Sequence, residues 1–195
     1  MTISNFNVPN SISVLRILMV PVLLFLAWNG HQAAFTGLLA VSLSTDILDG
    51  YLARRLNQMT RLGAQLDSWG DFLTVLTYPF AAIWLRPDAL EANALYVLIA
   101  LIAYFTPIAF GFIKFRRLTS YHARMTRVTA YAMGAAVIVF FAGWSDFPFR
   151  LACVFLVLAQ AEQIVISALL PEWRENVRDF RHALALRREK ETYFE

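Results

Sequence analysis

The sequence predicts an all-α integral membrane protein of six transmembrane helices with both termini in the cytoplasm. Three observations predict it: the composition, the length of the apolar stretches and the placement of the basic residues. Hydrophobic residues make up 58% of the 195 and charged residues 16%, against roughly 45–50% and about 25% in a soluble domain. A soluble globule of this size buries only about 70% of its unfolded surface and covers the rest with polar groups. Sixteen Phe, five Trp and a mean hydropathy of +0.53 leave too little polar surface for that. A soluble enzyme, a disordered chain and a nucleic-acid binder are all disfavoured.

Six stretches approach the roughly 20 apolar residues that one crossing needs: 12–28, 33–53, 62–85, 93–115, 127–144 and 149–170. Their Leu, Ala, Ile, Val and Phe run without the two-residue alternation of a barrel strand, so helices are expected. Breakers separate them: Asn29-Gly30, Arg86-Pro87-Asp88, Ser145-Asp146-Phe147-Pro148, and Pro171 after the last. Residues 1–11 hold no Lys or Arg, so the first stretch lacks the basic flank of a signal peptide and is expected to be retained. The single Cys153 lies in an apolar run and reads as a packed thiol. No repeat or linker interrupts the chain, and residues 1–195 are expected to form one transmembrane domain.

The basic residues set the orientation. Arg54, Arg55 and Arg61 flank the second turn. Lys114, Arg116, Arg117, Arg124 and Arg127 lie between the fourth and fifth stretches, and Arg174, Arg178, Arg181, Arg187, Arg188 and Lys190 follow the sixth. The opposite loops hold only Arg86 and Arg150, and Arg16 lies within the first stretch. The positive-inside rule then puts both termini in the cytoplasm. The segment 171–195 mixes both charge signs with Trp173, Phe180 and Leu184, which suits either a helix on the inner leaflet or a solvated tail.

Asp46, Asp49, Asp67 and Asp71 stand inside the second and third stretches rather than in loops. An ionisable group at the centre of a membrane helix costs about 2.5–3.5 kcal/mol on insertion scales, so four demand a functional explanation. Counted from Arg54 and Arg61 at 1.5 Å per residue, all four are expected within about 7–15 Å of the cytoplasmic boundary. Asp46 and Asp49 are spaced i, i+3, and Gly50 and Ala53 continue their stripe; Asp67 and Asp71 are spaced i, i+4, with Gly63 one turn earlier. A hairpin of the two helices brings both pairs to one point, where the carboxylates repel unless cations intervene. Carboxylate oxygens suit Mg²⁺, Mn²⁺ or Ca²⁺. His31, His122 and His182 lie in other segments, which disfavours a zinc site. The small residues on the stripes leave room for a ligand, serve close helix packing, or both. Arg54 can reach a phosphate bidentately, and Thr60 can add a hydroxyl, so a phosphate or diphosphate ligand is indicated.

Written out, the segment is Asp46-Ile47-Leu48-Asp49-Gly50-Tyr51-Leu52-Ala53-Arg54, then Gly63, Asp67 and Asp71 at spacings of nine, four and four. It resembles the signature of the CDP-alcohol phosphatidyltransferase family, class I, D-x2-D-G-x2-A-R-x8-G-x3-D-x3-D, with every fixed position matched. At roughly one in fifteen per position, eight fixed residues coincide by chance on the order of 10⁻⁹. The run Val8-Pro9-Asn10-Ser11-Ile12-Ser13, followed by Arg16 and Pro21, is similar to the Asn-Pro-Asn/Thr-x-x-Arg opening common in that family. Taken alone, Asn10 and Ser13 read as helix N-cap residues; the resemblance moves them toward the nucleotide.

The resemblance implies a reaction in phospholipid biosynthesis. A CDP-linked lipid, usually CDP-diacylglycerol, is attacked at phosphorus by the hydroxyl of a small polar alcohol, and CMP is released. It implies that Asp46, Asp49, Asp67 and Asp71 hold two divalent cations, Mg²⁺ or Mn²⁺, and that Asp71 also serves as base. Asn10, Ser13, Gly50, Ala53, Arg54, Thr60 and Gly63 are then expected to line the CDP-lipid site, in a homodimer of the bacterial cytoplasmic membrane with its active site facing the cytoplasm. Phosphatidylglycerophosphate synthases commonly carry Asp-Pro-x-x-Asp-Lys at the last two aspartates; here Ser68 and Phe72 stand in place of Pro and Lys, and the acceptor stays open. Lys114, Arg117, His122 and Arg124, with Arg116 and Arg127, either bind an anionic acceptor or only reflect the positive-inside bias. Gln160, Glu162 and Gln163 either line the acceptor pocket or bond across a helix interface.

Two other classes fit the sequence less well. A divalent-cation transporter would hold its site near the midplane between repeated halves, whereas these carboxylates lie toward one side and Arg54 would repel a passing cation. A non-catalytic scaffold would be expected to have lost at least one of the four aspartates.

Overall fold

The computed structural model describes residues 7–56, 60–115, 124–169 and 184; the side chains of Arg54, Arg61, Phe115 and Arg124 lie outside the description. Among the described residues there are six α-helices and no strand: α1 Val8–Trp28, α2 Gln32–Arg55, α3 Arg61–Leu85, α4 Pro87–Phe115, α5 Arg124–Ala142 and α6 Phe147–Leu169. Each expected stretch corresponds to one helix. The segment 171–195 lies outside the description except for Leu184.

The helix starts differ from the expected ones for local reasons. Asn7 is the N-cap of α1, its side chain accepting from the Asn10 N–H at 3.0 Å. Asn10 and Ser13 therefore lie within the helix, which corrects their reading as caps. α4 begins at Pro87, six residues before the expected start, with Asp88 in its first turn. Arg86-Pro87-Asp88 ends α3 but starts α4, because a proline in the first helical turn gives up an N–H that has no intrahelical partner. Gly30 and Gly143 have φ of +76° and +79°, the left-handed conformation that lets α1 and α5 stop abruptly.

Helices α1, α4, α5 and α6 are long and apolar enough to cross a membrane. At 24 and 25 residues, α2 and α3 match them in length but carry the aspartates and terminal arginines. Leu18, Val22 and Phe25 of α1, Leu95, Leu98 and Ile102 of α4, and Val154 and Leu158 of α6 point outward, while Arg16, Asp49, Thr77, Asn93 and Gln160 are buried. An apolar exterior around polar interior groups inverts the pattern of a soluble globule. The chain is a multi-pass, all-α membrane protein.

Contacts group the chain into two units. The first comprises Met1–Ala92 with Phe141–Trp144. Within it α1 packs against both α2 and α3. The buried positions of α1 are Pro9, Asn10, Ser13, Arg16, Val20, Leu23 and Ala27, a single stripe at helical spacing. The stripe is polar up to Arg16 and apolar from Val20 onward. Its apolar end is closed by aromatic contacts: Trp28 meets Trp84 edge-on at 5.0 Å, and Phe35 meets Phe141 at 4.8 Å. Gln32 Nε2 donates to the Phe141 carbonyl at 2.7 Å.

The second unit comprises Asn93–Phe140 and Ser145–Glu195. Its core includes Ala136, Val137 and Phe140 of α5 and Phe149, Ala152, Cys153, Ala159 and Ile166 of α6. Cys153 is buried there as a free thiol. Fully buried Asn93 clasps the starts of α4 and α6: its Nδ2 donates to Asp146 Oδ2 at 2.9 Å, and its Oδ1 accepts from Arg150 Nε at 2.7 Å. The Arg150 guanidinium also covers the Tyr96 ring at 5.6 Å. Asn93→Leu removes both bonds at a dry site and should cost about 2–4 kcal/mol. The measurement is thermal unfolding of the purified protein in detergent, with an expected fall of several degrees.

Candidate functional site

The first unit gathers four carboxylates around one cation. Helix α2 supplies Asp46 and Asp49, α3 supplies Asp67 and Asp71, and the polar end of the α1 stripe brings Arg16 between them. Asp46 Oδ1 pairs with Arg16 Nη1. Asp67 Oδ1 lies 2.7 Å from Nη2, Asp71 Oδ1 lies 3.5 Å from Nη1, and Asp49 Oδ2 lies 4.0 Å from Nη2. The Arg16 side chain is 1% exposed, so its charge is compensated inside the protein rather than by water. Asp49 is buried, whereas Asp71 is 53% exposed and the most open of the four. The cluster is therefore closed on its α1 side and open on the side of Asp71.

Hydrogen bonds fix the polar end of α1 to both neighbours. Ser13 Oγ donates to Asp49 Oδ2 at 2.8 Å, which aims that carboxylate. Asn10 Nδ2 donates to Thr60 Oγ1 at 3.2 Å. Thr60 is also the N-cap of α3, its Oγ1 accepting from the Gly63 N–H at 2.9 Å. Two glycines let α1 approach α3. A methyl group at Gly63 would stand 2.5 Å from Asn10 Oδ1, and one at Gly70 would stand 2.7 Å from Arg16 Nε. The space beside Gly63 is thus filled by a neighbouring side chain, as close helix packing requires. Gly50 and Ala53 lie half-buried on α2.

The sequence alone puts Arg16 in the first span and assigns it no role at the carboxylates. A signal is present: a guanidinium in an apolar helix needs an acidic partner, and two neighbouring helices carry four carboxylates. The other expected residues fall differently. Lys114 Nζ donates to the Ser167 and Ala168 carbonyls at 2.7 and 2.9 Å, capping α6. Gln163 Nε2 donates to Thr126 Oγ1 at 3.0 Å, a bond across the α5–α6 interface. Gln160 Oε1 and Glu162 Oε2 are buried without a hydrogen-bond partner among the described residues. Arg117 and His122 lie outside the described residues, as do the side chains of Arg54 and Arg124.

The donor set suits a hard cation. Asp46, Asp49 and Asp67 each present one carboxylate oxygen within 4.8 Å of the others. Oxygens this close would hold a hard cation after small torsional adjustments. Asp71, across the guanidinium, extends the set on its open side.

A helical membrane protein whose clustered carboxylates suit a hard cation is the class that this fold and site define. The chain belongs to the CDP-alcohol phosphatidyltransferase family, whose sequence pattern matches residues 6–170. Over 72 residues it is 47% identical to a CDP-diacylglycerol–glycerol-3-phosphate 3-phosphatidyltransferase of Pseudomonas fluorescens, covering 35% of this chain and 37% of that one. Proteins of the same name from Aquifex aeolicus and Escherichia coli K12 are 36% and 40% identical over 78 and 75 residues. Those matches cover 38% and 36% of this chain and 44% and 40% of theirs. The chain thus spans less than half the length of these curated relatives. No solved structure matches it.

Thr60→Ala removes the cap of α3 and should lower stability by about 1 kcal/mol, while Thr60→Ser should retain most of it. Paired melting curves in detergent check this, with the serine variant expected close to wild type.

Proposed function

We propose that the protein transfers a phosphatidyl group from CDP-diacylglycerol to a small polar alcohol and releases CMP. The observation that carries this reading is the convergence of Asp46, Asp49, Asp67 and Asp71 at a site open on one side. Family membership and the names of the relatives agree with it. Asp46, Asp49, Asp67 and Asp71 would hold two divalent cations, Mg²⁺ or Mn²⁺. Bound there, such cations neutralise a diphosphate and stabilise charge on a CMP leaving group.

The chain's own residues do the rest. Asp71, the most exposed carboxylate, takes the proton of the incoming hydroxyl. The hydroxyl oxygen forms the new bond to the phosphorus that bears diacylglycerol, the bridging P–O bond breaks, and its electron pair leaves with CMP. Ser13 holds Asp49 in place through its 2.8 Å bond. Arg54 and the α1–α3 junction at Asn10, Thr60 and Gly63 contact the nucleotide diphosphate, with Gly50 and Ala53 giving the donor room beside α2. A lipid donor arrives laterally from the bilayer, and a polar acceptor and CMP exchange with water.

In this reading the chain 1–195 works as one domain of six spans, as a homodimer in the bacterial cytoplasmic membrane, with both termini and the site facing the cytoplasm. The bias of basic residues toward one side supports the orientation. The relatives' names favour glycerol 3-phosphate as acceptor, and Ser68 and Phe72 depart from the pattern common among such enzymes. Arg117, His122 and Arg124 would then serve an anionic acceptor through their charge, while Lys114 is engaged by α6. A divalent-cation carrier fits less well, because a buried guanidinium stands among the four carboxylates.

Purified protein given CDP-diacylglycerol with glycerol 3-phosphate, serine, inositol, inositol phosphate or choline should release CMP with one of them. Glycerol 3-phosphate is the expected acceptor, and silence with all of them would sink the reading. Activity should vanish with EDTA and return with Mg²⁺ or Mn²⁺; indifference to chelation would remove the metal. Asp71→Asn should lower CMP release by at least about 10²-fold while largely preserving donor binding. Full activity in that variant would remove Asp71 as the base.

A further inference from the structure

Arg16 has more built around it than a chance ion pair requires. Its side chain is 1% exposed and reaches carboxylates on two helices. Its Nη2 also lies 3.4 Å from the Asp67 carbonyl. Its Nε is buried with no hydrogen-bond partner among the described residues, while Nη1 and Nη2 face the aspartates. Gly70 lies outside the family signature, yet a methyl group there would stand 2.7 Å from Nε and 3.2 Å from Cζ. The missing side chain at Gly70 leaves the room on α3 that the guanidinium fills.

We propose that Arg16 is a positioning residue, an internal counter-ion that holds the four carboxylates together without metal and sets their affinity for divalent cations by competing for the same oxygens. The proposal rests on the metal reading above and deepens it. Four carboxylates at this spacing repel one another strongly in a poor dielectric, and one guanidinium offsets only part of that charge. The cluster thus keeps a net pull on divalent cations while remaining assembled in their absence. An entering cation meets a like charge and must take oxygens that the guanidinium already holds. Arg16 therefore weakens cation binding and spares the empty site from springing apart. A neighbouring charge within 4–6 Å shifts a charge-dependent equilibrium by about 10- to 1,000-fold.

Mn²⁺ binding by calorimetry and the melting temperature with and without Mn²⁺, both on the full-length protein in detergent, test this. Arg16→Met should bind Mn²⁺ about tenfold or more tightly than wild type. Its melting temperature should fall in EDTA and recover largely with Mn²⁺, a larger metal-dependent gain than wild type shows. Gly70→Ala keeps every charge but presses on Nε, and should tighten Mn²⁺ binding in the same direction by about two- to fivefold. Arg16→Lys keeps the charge without the fork and should fall between wild type and Arg16→Met. If Arg16→Met does not fold, the lysine and alanine variants carry the test. Unchanged or weaker Mn²⁺ affinity in the variants that fold would overturn the proposal. So would a melting-temperature loss of the same size with and without Mn²⁺, which is what a purely structural Arg16 gives. CMP release is read separately: Arg16-dependent Mn²⁺ binding without CMP release would sink the proposed reaction and leave this inference standing.

Discussion

The ion pairing of Arg16 with Asp46, Asp49, Asp67 and Asp71 is the constraint on which the first unit depends. Buried charges are tolerable in an apolar surround only when paired and bonded with good geometry. That requirement fixes the rotation of three helices at once, because α1 must aim Arg16 at the same point that α2 and α3 aim their aspartates. Gly70 and Gly63 then become necessary, since α1 cannot come close enough over a larger residue. Ser13 and Asn10, one turn and two turns from Arg16 on the same stripe, complete the register with bonds to Asp49 and Thr60.

Much of this was legible in the sequence. The six helices follow from apolar length, and the meeting of the aspartates follows from i, i+3 and i, i+4 spacing on two adjacent helices. The family signature within residues 46–71 is dense enough to read directly. What escaped was what depends on a third helix. Spacing within α2 and α3 says where their own carboxylates point, but not that α1 lies across them with its polar end at the same depth. The N-cap was misplaced for a related reason. Pro9-Asn10 looks like a helix start, yet proline is tolerated in the first turn, and Asn7 two residues earlier does the capping. The engagement of Lys114 has no sequence signal, because its partners are the last carbonyls of α6, backbone groups of no particular residue type.

The second unit applies the same rule with neutral groups as well as charged ones. Asn93 sits between Asp146 and Arg150 and satisfies both ends of its amide at once. Gln163 bonds Thr126 across α5 and α6. In a bilayer, apolar contact between helices gains little over apolar contact with lipid, so such polar clasps and small-residue contacts supply the specificity of helix pairing. The outward-facing Leu, Val and Phe side chains have a different task, which is to match the lipid.

The division of the α1 stripe into a polar and an apolar half has a consequence for biogenesis. During synthesis α1 enters the membrane before α2 and α3, so Arg16 arrives ahead of its four partners. Insertion scales put such a solitary charge at no more than about 2.5–3.5 kcal/mol, and the Val20, Leu23 and Ala27 half with its lipid-facing neighbours must outweigh it. Until α2 follows, α1 is a strongly apolar helix with one misplaced cation near its entry end. The order of synthesis thus makes the first helix wait for the two that follow, and the hairpin that carries the aspartates is also what retires its debt of charge.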